Sequence, residues 1–575
     1  MFCVTLVWKT GCNSGKNQPI STQSSSAEFS AFVDDYFSAL FDFSPTSGTA
    51  SGFHQYDARL ENLTASAIQL RIQRIKTLDA RLKNLRTNTL NETDSIDAEI
   101  LEGQIHTELL DLETIESWKK NPMPYIVLSG GSIDALMKRN FAPPPERLRS
   151  LIARLRQIPS VHQALTQNVT NPPREFAELA LKMATGSKEF FGRSVAVWAA
   201  EATAGDVALR KEFDEANLQV LQSLKNVETW LRNDLLPRSK GKYAIGAETF
   251  ARKLSYEERV DISVDQLLNI GERNLEKDYN DFVQTARKIN PAMTPAQVMK
   301  SISDRHPNEF ELIDSAKETV ESIRQFLIDK KIVTIPSDVR PTITGTPAYQ
   351  RSGSFASMDS PGPYETKANE AFYYITPVEK DWDPRHKEEH LRLYNRPVMD
   401  IITIHEAYPG HFLQFLYAKQ FPTKTRKLIS CGTNVEGWAH YTEQMMLEQG
   451  FGAEDPKVRL AQLQEALLRD CRYVVGIKLH TQGWTVEQGA KLFVERAFEE
   501  PANAYEEARR GAYNPTYLYY TLGKLMIYQL RGDYQKAKGS AFTLEGFHNE
   551  FAKQGGIPIK FVRQILLPGD KGSLL

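Results

Sequence analysis

Apolar residues recur at i, i+3, i+4 and i+7 along most of the chain from Ala27 onward. That spacing lays an apolar stripe down one side of an α-helix. In the first half it runs through FSAFVDDYFSALFDF, ASAIQLRIQRIKTLDARLKNL, DSIDAEILEGQIHTELLDLETIESW, RLRSLIARLRQI and VALRKEFDEANLQVLQSLKNVETWLRNDLL. It continues through VDQLLNIGERNLEKDYNDFVQTARKI and DSAKETVESIRQFLIDK. Ser263 before VDQLL and the Thr294-Pro295 pair read as helix starts. No fixed-period repeat is visible, which argues against a solenoid. This half predicts a helical scaffold and shows no chemistry of its own.

The pattern changes between Ile332 and Lys380, a stretch rich in Pro, Gly, Ser and Thr with short β-like runs at IVTI and AFYYI. It predicts a strand-and-loop insert. AFYYI is a candidate edge strand that could pair with an extended peptide backbone, which makes Tyr374 a candidate substrate contact; a structural strand is the alternative. Helical periodicity resumes at about Pro384 and runs to about Leu530. The expected fold class is mainly α with a small β-strand insert.

Composition narrows the possibilities. A formal net charge of −2 leaves no excess of basic groups to displace counterions from a phosphate backbone, so no nucleic-acid partner is expected. The apolar run at the N-terminus, MFCVTLVW, has eight residues, well short of the roughly 18–20 that span a bilayer, and no transmembrane span is expected. The four cysteines (Cys3, Cys12, Cys431, Cys471) form no C-x-x-C pair, so neither a disulfide scaffold nor a thiolate zinc site is expected. Residues 1–27 read as something outside the fold: a short apolar run, a Gly-Cys junction and a polar tail. They resemble a lipoprotein export signal with Cys12 as the lipidated residue, placing the protein in the cell envelope or periplasm; a disordered N-terminus of a cytoplasmic protein is the alternative.

Histidine is concentrated where the second helical run begins, with six of the eleven lying between His386 and His480. His386 and His390, in PRHKEEHLRLY, read as solvated surface residues. At the centre is IITIHEAYPGHFLQFLYA, whose apolar lead-in carries His405-Glu406 toward the core, where an unpaired Glu is costly. His411 follows six residues later. On a straight helix that offset separates two side chains by about 240°, so a regular helix cannot aim both imidazoles at one ion. Pro409 removes a helical hydrogen bond and Gly410 frees the backbone beside it, so a bulge at Tyr408-Pro409-Gly410 is expected to return His411 to the side of His405. In TNVEGWAHYTEQMMLEQG, residues Glu436, His440 and Glu443 fall on one helical stripe. His405, His411 and Glu436 are therefore the expected ligands of a single Zn²⁺ ion, an arrangement that leaves one position open. Glu406 is the expected general base on a metal-activated water. His440 and Glu443 are expected to orient a ligand imidazole.

The motifs HEAYPGHFLQ, EGWAHYTE, NPTYLYYTLGKLMIYQLR and FHNEFAKQGGIPIKFVRQILL resemble the bacterial domain-of-unknown-function 885 family over nearly the whole chain from about residue 28. The family is metallopeptidase-like and often carries lipoprotein or secretory signals. Dipeptidyl peptidase III offers a parallel in its stretched H-E…H spacing. AYNPTYLYY is similar to the tyrosine segment of thimet-oligopeptidase-like enzymes, which implies that Tyr520 and Tyr513 stabilise an oxyanion; an aromatic core stripe is the other reading of residues 517–520. Further positions implied by the resemblance are Arg469, Arg472, His480, Arg509 and Arg531, as substrate-binding or structural groups. Gly476 stands where relatives carry an Asp that would pair with Arg472. The resemblance implies a large two-lobed helical metallopeptidase-like fold with a deep cleft. It would form a single domain over 28–575, with the insert at about 332–380 and the catalytic core at about 384–531. The implied function is zinc-dependent hydrolysis of short peptides. The rivals are a non-peptidase zinc amide or ester hydrolase, and a non-catalytic envelope-tethered binding protein with a degenerate site. Peptide length, end preference and oligomeric state are left open.

Overall fold

The computed structural model describes residues 22–87, 90–347, 351, 355–380, 382–570 and 572–575. Cys3, Cys12 and most of the signal-like segment lie outside the described residues, whereas Thr22–Ala27 belong to the first helix, Thr22–Phe43.

Helices form where the apolar period predicts them, and their ends are set by side chains. Thr64, Asn91 and Asp206 each accept a backbone N–H at the start of Ala65–Arg86, Glu92–Leu109 and Val207–Trp230. Ser263 and Thr294 form reciprocal capping boxes with Gln266 and Gln297, each satisfying two backbone donors that a helix start would leave bare. The buried side of Val264–Ile289 (α1) is Leu267, Leu268, Leu275, Phe282 and Ala286, joined by the charged Asp278. Buried apolar side chains form one cluster that extends from Phe29 to Leu567. Among the described residues, no helix is long and apolar enough to cross a membrane.

The insert holds a three-stranded sheet of Thr342–Gly345 (β1), Ala356–Asp359 (β2) and Phe372–Ile375 (β3), in the order β1-β3-β2. β3 runs parallel to β1 and antiparallel to β2. Two expectations are corrected. AFYYI is the central strand, with both edges already paired, so it cannot accept a peptide strand. IVTI is not a strand: Ile332 and Val333 are buried in the core, and the segment is tied to the Leu544–Ala552 helix by Thr334 N–H to Asn549 Oδ1 (2.9 Å) and His548 Nδ1 to the Ile332 carbonyl (2.8 Å). Its β-branched residues serve burial there, with side-chain partners in place of a ladder.

After the sheet come Arg396–Glu406 (α2), His411–Leu416 (α3), Gly432–Glu448 (α4), Pro456–Thr481 (α5), Val486–Ala497 (α6), Pro501–Tyr513 (α7) and Tyr519–Lys538 (α8). α4 and α8 approach so closely that a Cβ on Gly523 would lie 1.9 Å from the Thr433 carbonyl oxygen, and one on Gly437 would lie 2.5 Å from the Gly523 Cα. Only hydrogen-sized side chains fit that crossing, and it sets α8 against the face of α4 that carries Glu436.

Candidate metal centre

α2 starts at Asn395, whose side chain accepts the Val398 N–H, and buries Val398, Met399, Ile401, Ile404 and His405. It stops at Glu406. The expected bulge is instead a complete break between two helices: the Tyr408–Pro409 peptide is cis, and the Gly410 N–H reaches back six residues to the Ile404 carbonyl (3.0 Å). Pro409 has no N–H to continue the ladder, and a Cβ on Gly410 would lie 1.8 Å from the His405 carbonyl oxygen. The turn is pinned by the Trp438 indole N–H, which donates to the Pro409 carbonyl (2.8 Å). α3 then begins at His411, and the two imidazoles meet edge to face with ring centroids 4.8 Å apart.

α4 supplies the third group. Its first turn is held by buried Glu258, which accepts the N–H groups of Gly432 and Thr433 at 2.9 Å each, a negative charge placed where a helix start favours one. One turn on, Glu436 Oε2 lies 3.4 Å from His405 Nε2 and 3.3 Å from His411 Nε2. The three ligand atoms lie within 4.8 Å of one another. Four ligands at about 2.0–2.1 Å around a tetrahedral zinc stand about 3.4 Å apart, so both carboxylate–imidazole separations match that edge. The donor set, two imidazoles and one carboxylate, fits a zinc ion.

Glu443 orders the surroundings. It accepts from His405 Nδ1 (2.7 Å) and His440 Nδ1 (3.0 Å), and Arg469 lies 3.2 Å from it. Tying up Nδ1 leaves Nε2 of His405 as the atom aimed at the shared point. Burial opposes a charge on Glu443, but Arg469 and His440 outweigh it and hold the carboxyl well below the usual range. Burial likewise opposes ionisation of Glu436, and the imidazoles of His411 and His405 overcome it. His405 is raised to about 9: burial works against its charge, and the bonds to Glu436 and Glu443 prevail. His440 is pushed down to about 3 by burial and by Lys524, so it is a neutral donor to Glu443 through Nδ1.

Glu406 follows His405 directly, is half-buried, and forms no ion pair among the described residues. The fully buried Tyr373 bonds to Thr403 Oγ1 (3.3 Å), so β3 backs the same helix. The neighbouring Tyr374 points away, stacking on Phe372 (5.8 Å) with burial and then Asp134 and Asp359 raising its phenol. Tyr520, in the first turn of α8, stacks loosely on His405 with centroids 6.3 Å apart. Burial and then the charge of Glu436 raise its phenol, so it is a neutral O–H donor.

The other sequence candidates separate. Tyr513 ends α7 and Tyr520 stands in α8, with residues 514–518 connecting the two helices; Tyr513 is 37% exposed and edges onto Phe176 (6.5 Å). With His480 it lines a separate cavity of about 240 Å³, and His480 Nε2 bonds to the Gly511 carbonyl (2.8 Å). Arg472 makes a two-point pair with Glu507 (2.7 and 2.8 Å) and lies over the Tyr520 ring (5.1 Å). Glu507 thereby supplies the partner missing at Gly476, whose place is taken by the Tyr517 ring 3.0 Å from where a Cβ would be. Arg509 pairs with Glu506. Arg531 sits far along α8, bonded to the Tyr441 hydroxyl (3.1 Å) and paired with Glu448 (3.1 Å). His386 is exposed and stacked on Trp382 (4.0 Å), but His390 is buried, bonded to the Thr376 carbonyl (2.7 Å). That corrects its surface assignment: the charged helix turns His390 inward together with Leu391.

Sequence reasoning missed Glu258, Glu507 and Arg510. Arg510 Nη2 donates to the Tyr520 hydroxyl at 3.1 Å. Its signal was its place three residues before Tyr513 and three after Glu507, one helical face that excludes Arg509.

The model of the family described as bacterial protein of unknown function (DUF885) matches residues 45–566. The chain belongs to the DUF885 family. Two solved structures are similar across it. One is a candidate lipoprotein of unknown function from Shewanella oneidensis, 27% identical, with a TM-score of 0.76, 94% of this chain and 99% of that chain covered. The other, from Colwellia psychrerythraea and also described as a candidate lipoprotein, is 17% identical with a TM-score of 0.79 and the same coverage, a likeness of fold. No curated protein matches the chain in sequence.

Proposed function

We propose that this DUF885 protein is a zinc-dependent hydrolase that cleaves peptide bonds of short peptides. The observation that carries the reading is the convergence of His405 Nε2 and His411 Nε2 on one Glu436 oxygen, each at a separation that matches a tetrahedral edge, with Glu406, the residue after His405, forming no ion pair among the described residues. A zinc ion held there would make water a nucleophile near neutral pH and polarise a carbonyl. The chain's own residues do the rest. Glu406 takes the proton of the attacking water and delivers it to the leaving amine. The Tyr520 hydroxyl donates to the oxygen on which charge develops. Glu443 fixes the tautomer and direction of His405. We further propose an envelope location with Cys12 as the lipid anchor; the Gly-Cys junction and the lipoprotein descriptions of both similar structures support it.

The test is metal analysis of the purified protein together with digestion of a quenched-peptide library before and after chelation. Glu406→Gln should keep zinc and lose turnover. Unchanged kinetics in that variant would refute the assignment, and cleavage restricted to non-peptide amides or esters would replace the substrate class. For the anchor, incorporation of a labelled fatty acid should vanish in Cys12→Ala.

A further inference from the structure

Four arginines are candidates for a carboxylate-binding group beside the proposed centre, and three are already neutralised. Arg469 is paired with Glu443 and Glu465, Arg472 with Glu507, and Arg509 with Glu506. Arg510 differs. Among the described residues no carboxylate lies within 4.0 Å of its guanidinium, and its one hydrogen bond is the 3.1 Å donation to Tyr520. The residue is half-buried, and its remaining N–H groups are not sealed from solvent. A half-buried guanidinium normally carries a counter-charge; this one forms no ion pair, because Glu507, the carboxylate that acts on it from a distance, is bonded at two points to Arg472.

We propose that Arg510 is a binding site for the free α-carboxylate of the substrate, so that the enzyme releases a C-terminal residue or splits dipeptides. The proposal rests on the hydrolase reading above and names its substrate class. Distance favours the carboxylate of the residue just after the scissile bond. A substrate carbonyl oxygen bonded to the Tyr520 hydroxyl lies within about 6 Å of the Arg510 nitrogen, two hydrogen-bond lengths. The α-carboxylate one residue on sits about 4–5 Å from that carbonyl, whereas each further residue adds up to about 3.5 Å. The planar fork of arginine suits a carboxylate at two points.

The test compares acyl-dipeptides bearing a free C-terminal acid with the same peptides amidated. Wild-type kcat/KM should favour the acid by about 10- to 100-fold, the range for a charge-assisted hydrogen bond. Arg510→Gln should bring that ratio close to one, and Arg510→Lys should restore part of it, with thermal melts certifying that both fold. A ratio near one in the wild type, or a ratio unmoved by Arg510→Gln, overturns the proposal; the second result would mean that Arg510 acts only through Tyr520. Binding gives a readout independent of turnover. Calorimetry of a dipeptide acid and its amide on zinc-loaded Glu406→Gln should show the same preference, lost when Arg510→Gln is added. If no peptide is cleaved but this preference is present, the hydrolase reading fails and the carboxylate site stands. If acid and amide bind alike, the site fails whatever the turnover.

Discussion

Gly410→Ala is the sharpest probe of the centre, because one methyl group is aimed at the backbone that positions both imidazoles. The new Cβ would lie 1.8 Å from the His405 carbonyl oxygen and 2.5 Å from both the His405 carbonyl carbon and the Ile404 oxygen. Real contacts of this kind do not fall below 3.0 Å, so something must move by at least about 1.2 Å. No flexible side chain can yield. The obstructing atoms are backbone, His411 is the next residue, and Trp438 clamps Pro409 from the other side. Zinc–ligand bonds tolerate about ±0.2 Å, so a shift of this size breaks at least one of them. The expected result is a loss of zinc affinity of more than about 100-fold, beyond that typical of a lost supporting bond, with a stability cost of about 1–3 kcal/mol for overpacking. Gly131→Ala is the matched control. It lies inside the Met123–Lys138 helix with nothing within 4 Å of its Cβ, and should stabilise by about 0.5–1 kcal/mol with zinc affinity unchanged. Competition with a chromophoric chelator and thermal melts of the metal-free proteins measure both. Wild-type zinc affinity in Gly410→Ala would refute the claim that this turn aims the ligands.

Three further outcomes are expected. Glu443→Gln keeps an acceptor for His405 but removes the charge that answers Arg469, and should lower zinc affinity about 10- to 100-fold by chelator competition; unchanged affinity would show that Glu443 does not tune the ligand. Tyr520→Phe removes the proposed oxyanion donor and should lower kcat by about 100-fold with little change in KM; equal kcat would remove Tyr520 from the mechanism. In the amino-terminal scaffold, burial holds His162 down at about 4, with its ring nitrogens against Ser129 (3.0 Å) and Ser223 (2.7 Å). Because the folded value lies below the unfolded one, the unfolded chain binds the extra proton between pH 6.5 and 4. Stability is therefore full above pH 6.5 and falls as pH drops through that window. This group alone should account for about 2 kcal/mol between pH 7 and 5, and His162→Gln should show that much less loss in denaturant melts; an identical pH dependence would refute the assignment.

How much of this was readable before folding depends on the range of the cause. Helix stripes and caps are local, and Ser263, Thr294 and Asn395 act within their own segments. The conflict between an i+6 histidine pair and helical geometry is local too, and Pro409-Gly410 marked where the helix had to stop. The form of the stop was not readable, because it depends on Trp438 reaching across from α4. The stripe Glu436, His440, Glu443 was visible, yet which member meets both imidazoles and which bonds behind them depends on how α4 crosses α2, where Glu443 meets His405 and Trp438 meets Pro409. The same holds for the arginines. Arg509 and Arg510 each have a Glu three residues earlier on α7; Glu506 pairs with Arg509 within that helix, and only the packing of α5 on α7 shows that Glu507 goes to Arg472 and leaves Arg510 without an ion pair. Strand order is the extreme case: AFYYI is the same short apolar run whether it lies at an edge or in the centre, and its partners are set by the strands that start at residues 342 and 356. A site therefore becomes legible from sequence to the extent that its geometry is imposed within one helix turn. The residues that separate ligand from support, or a free charge from a paired one, are fixed by contacts between helices.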